Sequence, residues 1–132
     1  MTGTFYRLER DGIGPYNHPD ATARDLCRTL PRTPGRNLDE LTDGNPRHWR
    51  SGCHSLQDLH LHFAPVLPEL IRRGFQAYAY TTDEDHLLSF GSECAAHIEE
   101  LHPDGAVNVT ADLLRLHGAH TNPHAAPLPD GY

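Results

Sequence analysis

An α+β fold is what this sequence predicts: a small, mostly antiparallel sheet with two or three helices packed on one of its faces. Three observations point there. Short alternating stretches rich in aromatic and aliphatic residues recur at 4–9, 75–81 and 86–98. Between the first two lies a segment with helical spacing, Leu56, Leu59, His60 and Phe63. The chain has 132 residues, 37% of them apolar, with 11 Pro and 11 Gly, which is enough for one modest core and leaves much of the chain in loops.

The elements follow in chain order. Residues 4–9 carry Phe5, Tyr6 and Leu8 and are stopped by Gly12, Gly14 and Pro15, the pattern of a strand opening into a turn. Residues 11–52 are dominated by Pro, Gly, Asp, Asn and Arg and read as one long loop, relieved by a short helix over 21–30 with Leu26 and Leu30 and anchored at its end by Trp49. Ser55 followed by Asp58 resembles a capping box, so a helix over 56–63 begins there. Pro65 and Pro68 interrupt it, a second helix carries Leu67, Leu70 and Ile71, and Gly74 stands where a left-handed helix terminator is wanted.

A strand over 75–81 comes next, then two strands over 86–90 and 93–98 joined at Gly91-Ser92, although residues from Ser92 would also suit a helix start. Val107, Val109, Leu113, Leu114 and Leu116 give a last packing element, helical after Thr110. The domain is thus read as 1–117, with a flexible tail over 118–132 that lacks periodicity.

Composition excludes some partners. No lysine occurs, and 11 arginines against 18 acids give a net charge of -7, which repels a phosphate backbone and argues against non-specific nucleic-acid binding. A small, defined nucleotide stays compatible with it. Cys27, Cys53 and Cys94 are an odd number with no CxxC pair, so a disulfide framework is not indicated and a reducing, cytoplasmic setting fits. No run approaches the roughly 20 apolar residues of a membrane span, and no secretory leader is visible.

The 11 histidines invite a metal reading, above all at His60-Leu61-His62. Helical geometry opposes it, because residues two apart point about 200° apart, so the expectation is His60 packed on the apolar face and His62 solvated. His117, His120 and His124 fall at or in the tail and are assigned no ion. Cys53 precedes a helix N-terminus beside His54, two features that lower a thiol pKa, but a merely buried thiol is the stronger expectation.

Three blocks carry the remaining chemistry: Phe5-Tyr6-Arg7-Leu8-Glu9, Gly52-Cys53-His54-Ser55-Leu56 and Gly91-Ser92-Glu93-Cys94-Ala95-Ala96. They supply, in order, a strand arginine, a serine opening a helix and a glutamate after a Gly-Ser turn. This order is similar to the Arg-Ser-Glu pattern of the ADP-ribosyltransferase superfamily. The resemblance implies NAD as the substrate, Arg7 holding phosphate, Ser55 lining the nicotinamide pocket, Glu93 as the catalytic acid and Tyr16 or Tyr78 as stacking rings. The chemistry needs these types: a guanidinium for pyrophosphate, a small hydroxyl residue beside nicotinamide, and a carboxylate for the ribose hydroxyl and the charge at the anomeric carbon.

A second resemblance covers Tyr6-Arg7-Leu8-Glu9 leading to Gly14-Pro15-Tyr16, then Gly52-Cys53-His54-Ser55-Leu56, then Arg72-Arg73-Gly74-Phe75. This arrangement looks like small proteins of bacteriophages and prophages, which implies interference with a host or defence protein. The enzyme reading expects Arg7, Ser55 and Glu93 to converge. A non-catalytic module, inhibiting a host or defence protein or sequestering a small nucleotide through Arg7, Arg24 and Arg28, expects no convergent carboxylate, and a buried ion pair of Arg7 with an acid far from Glu93 would favour it and leave the enzyme reading without support.

Overall fold

The computed structural model describes residues 2–30, 48–90 and 93–121. The expected α+β class holds: a six-stranded, wholly antiparallel sheet carries helices on one face. The strands are β1 (Thr2–Glu9), β2 (Trp49–Cys53), β3 (Gln76–Asp83), β4 (Leu88–Phe90), β5 (Glu93–His97) and β6 (Val107–Asn108), in the order β4-β5-β2-β1-β3-β6. The helices are α1 (Ala21–Cys27), α2 (Leu56–Phe63), α3 (Leu67–Arg72) and α4 (Thr110–Thr121).

Alternation along β1 sorts the two faces. Leu8 joins the main core with Cys53 and Ala77 from neighbouring strands and with Ala23, Cys27, Leu59, Phe63, Leu67, Leu70 and Leu113 from all four helices. Phe5 points the other way and packs with Tyr80, Cys94 and Ala96, flanked by Leu87 and Leu101 from the connecting turns. The strongest ladder is β1 with β3, paired from Thr2 opposite Asp83 to Glu9 opposite Gln76.

Local chemistry explains the boundaries. Asp11 and Gly12 both have positive φ, 55° and 77°, so β1 ends in a tight reversal in which Arg10 and Ile13 exchange backbone hydrogen bonds of 2.9 and 3.0 Å. The reversal lays residues 13–17 back along the end of β1. Ser55 caps α2 by accepting from the Asp58 amide at 3.1 Å, as the sequence pattern expects. The break between α2 and α3 falls at 64–66, and Pro68 sits inside the first turn of α3, where its missing N–H has no intrahelical partner to lose. Gly74, at φ 92°, ends α3: its amide donates to Ile71 and that of Phe75 to Leu70, satisfying two of the last carbonyls.

Several expectations on element extent are corrected. Trp49 to Cys53, read as the end of a loop with Trp49 as anchor, form β2, which pairs along its whole length with β5. Val107–Asn108 add a two-residue edge strand. The helix expected over 21–30 stops at Cys27, and α4 continues to Thr121, past the expected start of the tail. The rest of the long loop, 31–47, and the tail from 122 lie outside the described residues.

One carboxylate clamps the helices to the sheet. Asp20 caps α1 through Thr22 and Ala23 (3.0 and 3.2 Å), receives Arg73 on both oxygens (3.0 and 3.2 Å) and Arg10 at 3.3 Å. The Arg73 guanidinium above all holds its pKa down at about 2, against the opposing effect of burial and with help from the cap amides. Because the folded value lies below the ordinary 3.8, this contribution is complete above about pH 4 and is lost as pH falls from there towards 2. Acid titration followed by circular dichroism is expected to show wild type losing stability across that window more steeply than Asp20→Asn, which keeps a capping side chain and cannot titrate.

Candidate functional site

β1 and β2 share a single paired position among the described residues, Tyr6 opposite Cys53. Beyond it towards Glu9 the strands part, and a cleft of about 660 Å³ opens, a size suited to a small ligand. Its walls come from the last residues of β1, the returning loop 13–17, β2, the end of α2 and the first residue of β5. Gly52 makes the junction possible: a Cβ there would lie 2.5 Å from the Tyr6 carbonyl oxygen and 2.6 Å from the Phe5 ring.

The parted strands are joined by side chains. Arg7, 3% exposed, donates from Nε to Glu9 Oε2 at 2.7 Å and from Nη1 to the Ser51 carbonyl at 3.2 Å, so it spans the gap from β1 to β2. Glu9 in turn accepts from the Tyr80 hydroxyl of β3 at 2.6 Å. Burial lowers the Arg7 pKa, while Glu9 works in the opposite direction. Burial, then the Glu9 carboxylate, push the Tyr80 phenol up. Gly14 permits the loop to close over this group, since even a Cβ there would come within 3.2 Å of Arg7 Nη2.

On the opposite side of the cleft a second chain of polar contacts forms from three distant segments. Glu93 stands opposite Cys53, in line with Tyr6 across the sheet. Its Oε1 lies 3.1 Å from His62 Nδ1, and His62 Nε2 lies 2.5 Å from the Tyr16 hydroxyl. Tyr16 is seated by the returning loop against Phe63, ring centroids 6.1 Å apart. Burial lowers the His62 pKa and the Glu93 carboxylate opposes this.

The expected site residues divide. Arg7, Tyr16 and Glu93 line this one cleft. Ser55 does not; it is the α2 cap, and the serine on the cleft wall is Ser51 of β2. Tyr78 is also outside it, its hydroxyl donating to Gln76 at 2.9 Å and its ring packed with the Phe5 cluster. Arg24 bonds the His18 carbonyl, and Arg28 pairs with Asp25 on the surface of α1.

His62 was expected in solvent, yet its side chain is only 12% exposed and faces the cleft. The helical period that correctly assigned His60 to the core put His62 on the far side. What turns it inward is Tyr16 and the start of β5, both remote in sequence. His60 itself is buried and meets His117 of α4, Nε2 to Nδ1 at 3.1 Å. Trp49 and Arg50 of β2 also line the cleft, and no local signal marks them. Among the described residues no group of three or more His, Cys, Asp or Glu gathers as a metal site, and no helix is long and apolar enough to cross a membrane.

All three cysteines are buried thiols, none of them joined in a disulfide among the described residues. Burial first, then the Glu93 carboxylate, push the Cys53 and Cys94 thiols up to about 12, so the thiolate a nucleophile needs is disfavoured despite the helix start beside Cys53. Native protein at neutral pH is expected to resist a disulfide reagent that titrates all three thiols in denaturant. Rapid native modification, read by mass spectrometry, would reinstate Cys53 as reactive.

The Arg7–Glu9 pair makes a second prediction. Removing one partner strands a buried charge, so Arg7→Ala and Glu9→Ala should each cost about 3–5 kcal/mol in urea unfolding. The double variant is expected to cost less than their sum by about 1–3 kcal/mol, the signature of coupled residues. Additive losses would show that the two side chains act independently. Comparison with protein-family models, with curated proteins and with solved structures gave no match.

Proposed function

We propose that the chain is an ADP-ribosyltransferase-like protein that binds NAD in the cleft between β1 and β2 and transfers ADP-ribose to an acceptor. The observation that carries this reading is that Arg7 and Glu93, two of the three residues grouped by chain order, line one cleft together with Ser51 and the stacking candidate Tyr16. The ends of that cleft suit the two ends of the ligand. Arg7 and Arg50 supply positive charge for the pyrophosphate, with Trp49 of the same strand as Arg50 offering a ring face. Glu93 supplies a carboxylate for the nicotinamide ribose, where positive charge develops as the glycosidic bond breaks. Ser51, small and on the wall, takes the part that the Arg-Ser-Glu pattern gave to Ser55.

A second reading has one observation in its favour. Arg7 is engaged by Glu9 inside the sheet, which is the arrangement expected of a non-catalytic module that sequesters a small nucleotide or blocks a host or defence protein. For the same reason Arg7→Ala is a poor probe of ligand binding, because it threatens the fold.

Calorimetry with NAD and an assay of nicotinamide release separate the readings, with Glu93→Gln as the variant. The transferase reading expects NAD to bind both proteins within about threefold and turnover to fall about 100-fold or more in Glu93→Gln. Binding without release by either protein would favour sequestration. No heat at millimolar NAD would remove the nucleotide from both readings and leave a protein partner.

A further inference from the structure

We infer that Tyr16, His62 and Glu93 form a proton relay that serves an O–H acceptor at the cleft. The inference rests on the NAD reading of the cleft and adds to it the class of acceptor and a residue, His62, that the Arg-Ser-Glu order does not contain. Its basis is geometric. Three segments far apart in the chain bring a phenol, an imidazole and a carboxylate into line, 2.5 Å from Tyr16 Oη to His62 Nε2 and 3.1 Å from His62 Nδ1 to Glu93 Oε1, and all three side chains line the same cleft.

The partners determine the direction of the protons. An ionised carboxylate only accepts, so Nδ1 carries the hydrogen, which leaves Nε2 as the acceptor for the Tyr16 O–H. The neutral ring this requires is the form that burial favours at His62. His60, by contrast, is buried in the core, where its ring meets that of His117. A carboxylate accepts several hydrogen bonds, so engagement of Glu93 by His62 is compatible with contact to a ribose hydroxyl.

In the step this relay supports, the acceptor oxygen forms a bond to the anomeric carbon of the nicotinamide ribose as that carbon's bond to nitrogen breaks. The electron pair of the broken bond goes to the pyridinium nitrogen, and nicotinamide leaves neutral. The acceptor's proton passes to Tyr16 Oη as the Tyr16 proton passes to His62 Nε2, and Glu93 stabilises the imidazolium until the proton is lost to water. Tyr16 is the catalytic residue of the relay and His62 its positioning residue and proton store. Water is the simplest acceptor of this class, so slow hydrolysis of NAD is expected from the chain alone.

The test uses the full chain with NAD as the probe and water as acceptor, measuring nicotinamide release in wild type, Tyr16→Phe and His62→Gln. Tyr16→Phe keeps the ring and removes one proton, so kcat should fall about 100-fold with KM within about threefold. A purely structural role would instead raise KM or leave kcat unchanged. A ligand-free readout accompanies it: nitrogen NMR of the His62 ring should find the hydrogen on Nδ1 in wild type, with the Nε2 signal shifting in Tyr16→Phe. Release by wild type that both variants match overturns the relay and leaves the NAD reading standing. Absence of release by wild type overturns the transferase reading, and with it the acceptor step and the relay that serves it. Hydrogen on Nε2 in wild type overturns the relay whatever NAD does.

Discussion

A carboxylate inside the sheet holds the rest of the molecule in place. Glu9 ends β1 in a position 7% exposed, where an ion could not persist without partners, and it has two, the Arg7 guanidinium and the Tyr80 hydroxyl. Through Tyr80 it is tied to β3, and through Arg7 to the backbone of β2 at Ser51. A row of polar contacts therefore crosses the sheet where the backbone ladder between β1 and β2 has given out. The physical cost of desolvating the charges is met by this mutual satisfaction, and the gain is a sheet that stays joined while leaving room between its central strands.

That room is what the functional reading depends on. A continuous ladder between β1 and β2 would fill the space with backbone and bring the strands to the ordinary separation of about 4.8 Å. With one paired position, the turn at Asp11-Gly12 can fold residues 13–17 into the opening, and the end of α2 can look into it. The two polar chains then have different tasks. Glu9 and Tyr80 are enclosed and support the sheet, Arg7 supports it while also reaching the cleft, and Tyr16, His62 and Glu93 line the opening. Burial alone does not mark function here; the distinction lies in which group reaches the cleft.

Much of the fold was legible because its signals are local. The alternation of Phe5, Tyr6 and Leu8, the cap at Ser55, the spacing of Leu56, Leu59 and Phe63, and the need for positive φ at Gly74 are each written within a few residues. β2 was not legible, since Trp49-Arg50-Ser51-Gly52-Cys53 offers no clear alternation and becomes a strand through its pairing with β5. The site was half legible for the same reason. Chain order brought Arg7, Ser55 and Glu93 forward, with Tyr16 as a stacking ring, but a serine at a helix start could not be told from a helix cap, and Ser55 is one. His62 was hidden by its own helix: the 3.6-residue period assigns it away from the core, and only the tertiary approach of Tyr16 and Glu93 gives it partners.

The outermost strands of the sheet have a consequence of their own. β4 has three residues and β6 two, so the outermost strand on either side offers a neighbouring chain only a few backbone groups. Strand addition needs a longer run of hydrogen bonds to repay the ordering it demands, and short edges are one of the ways proteins avoid it. The exposed Val107 on β6 is thus isolated, without the length of edge that would turn it into a template. With a net charge of -7 keeping copies apart at longer range, growth of the sheet from molecule to molecule is disfavoured at both of its borders.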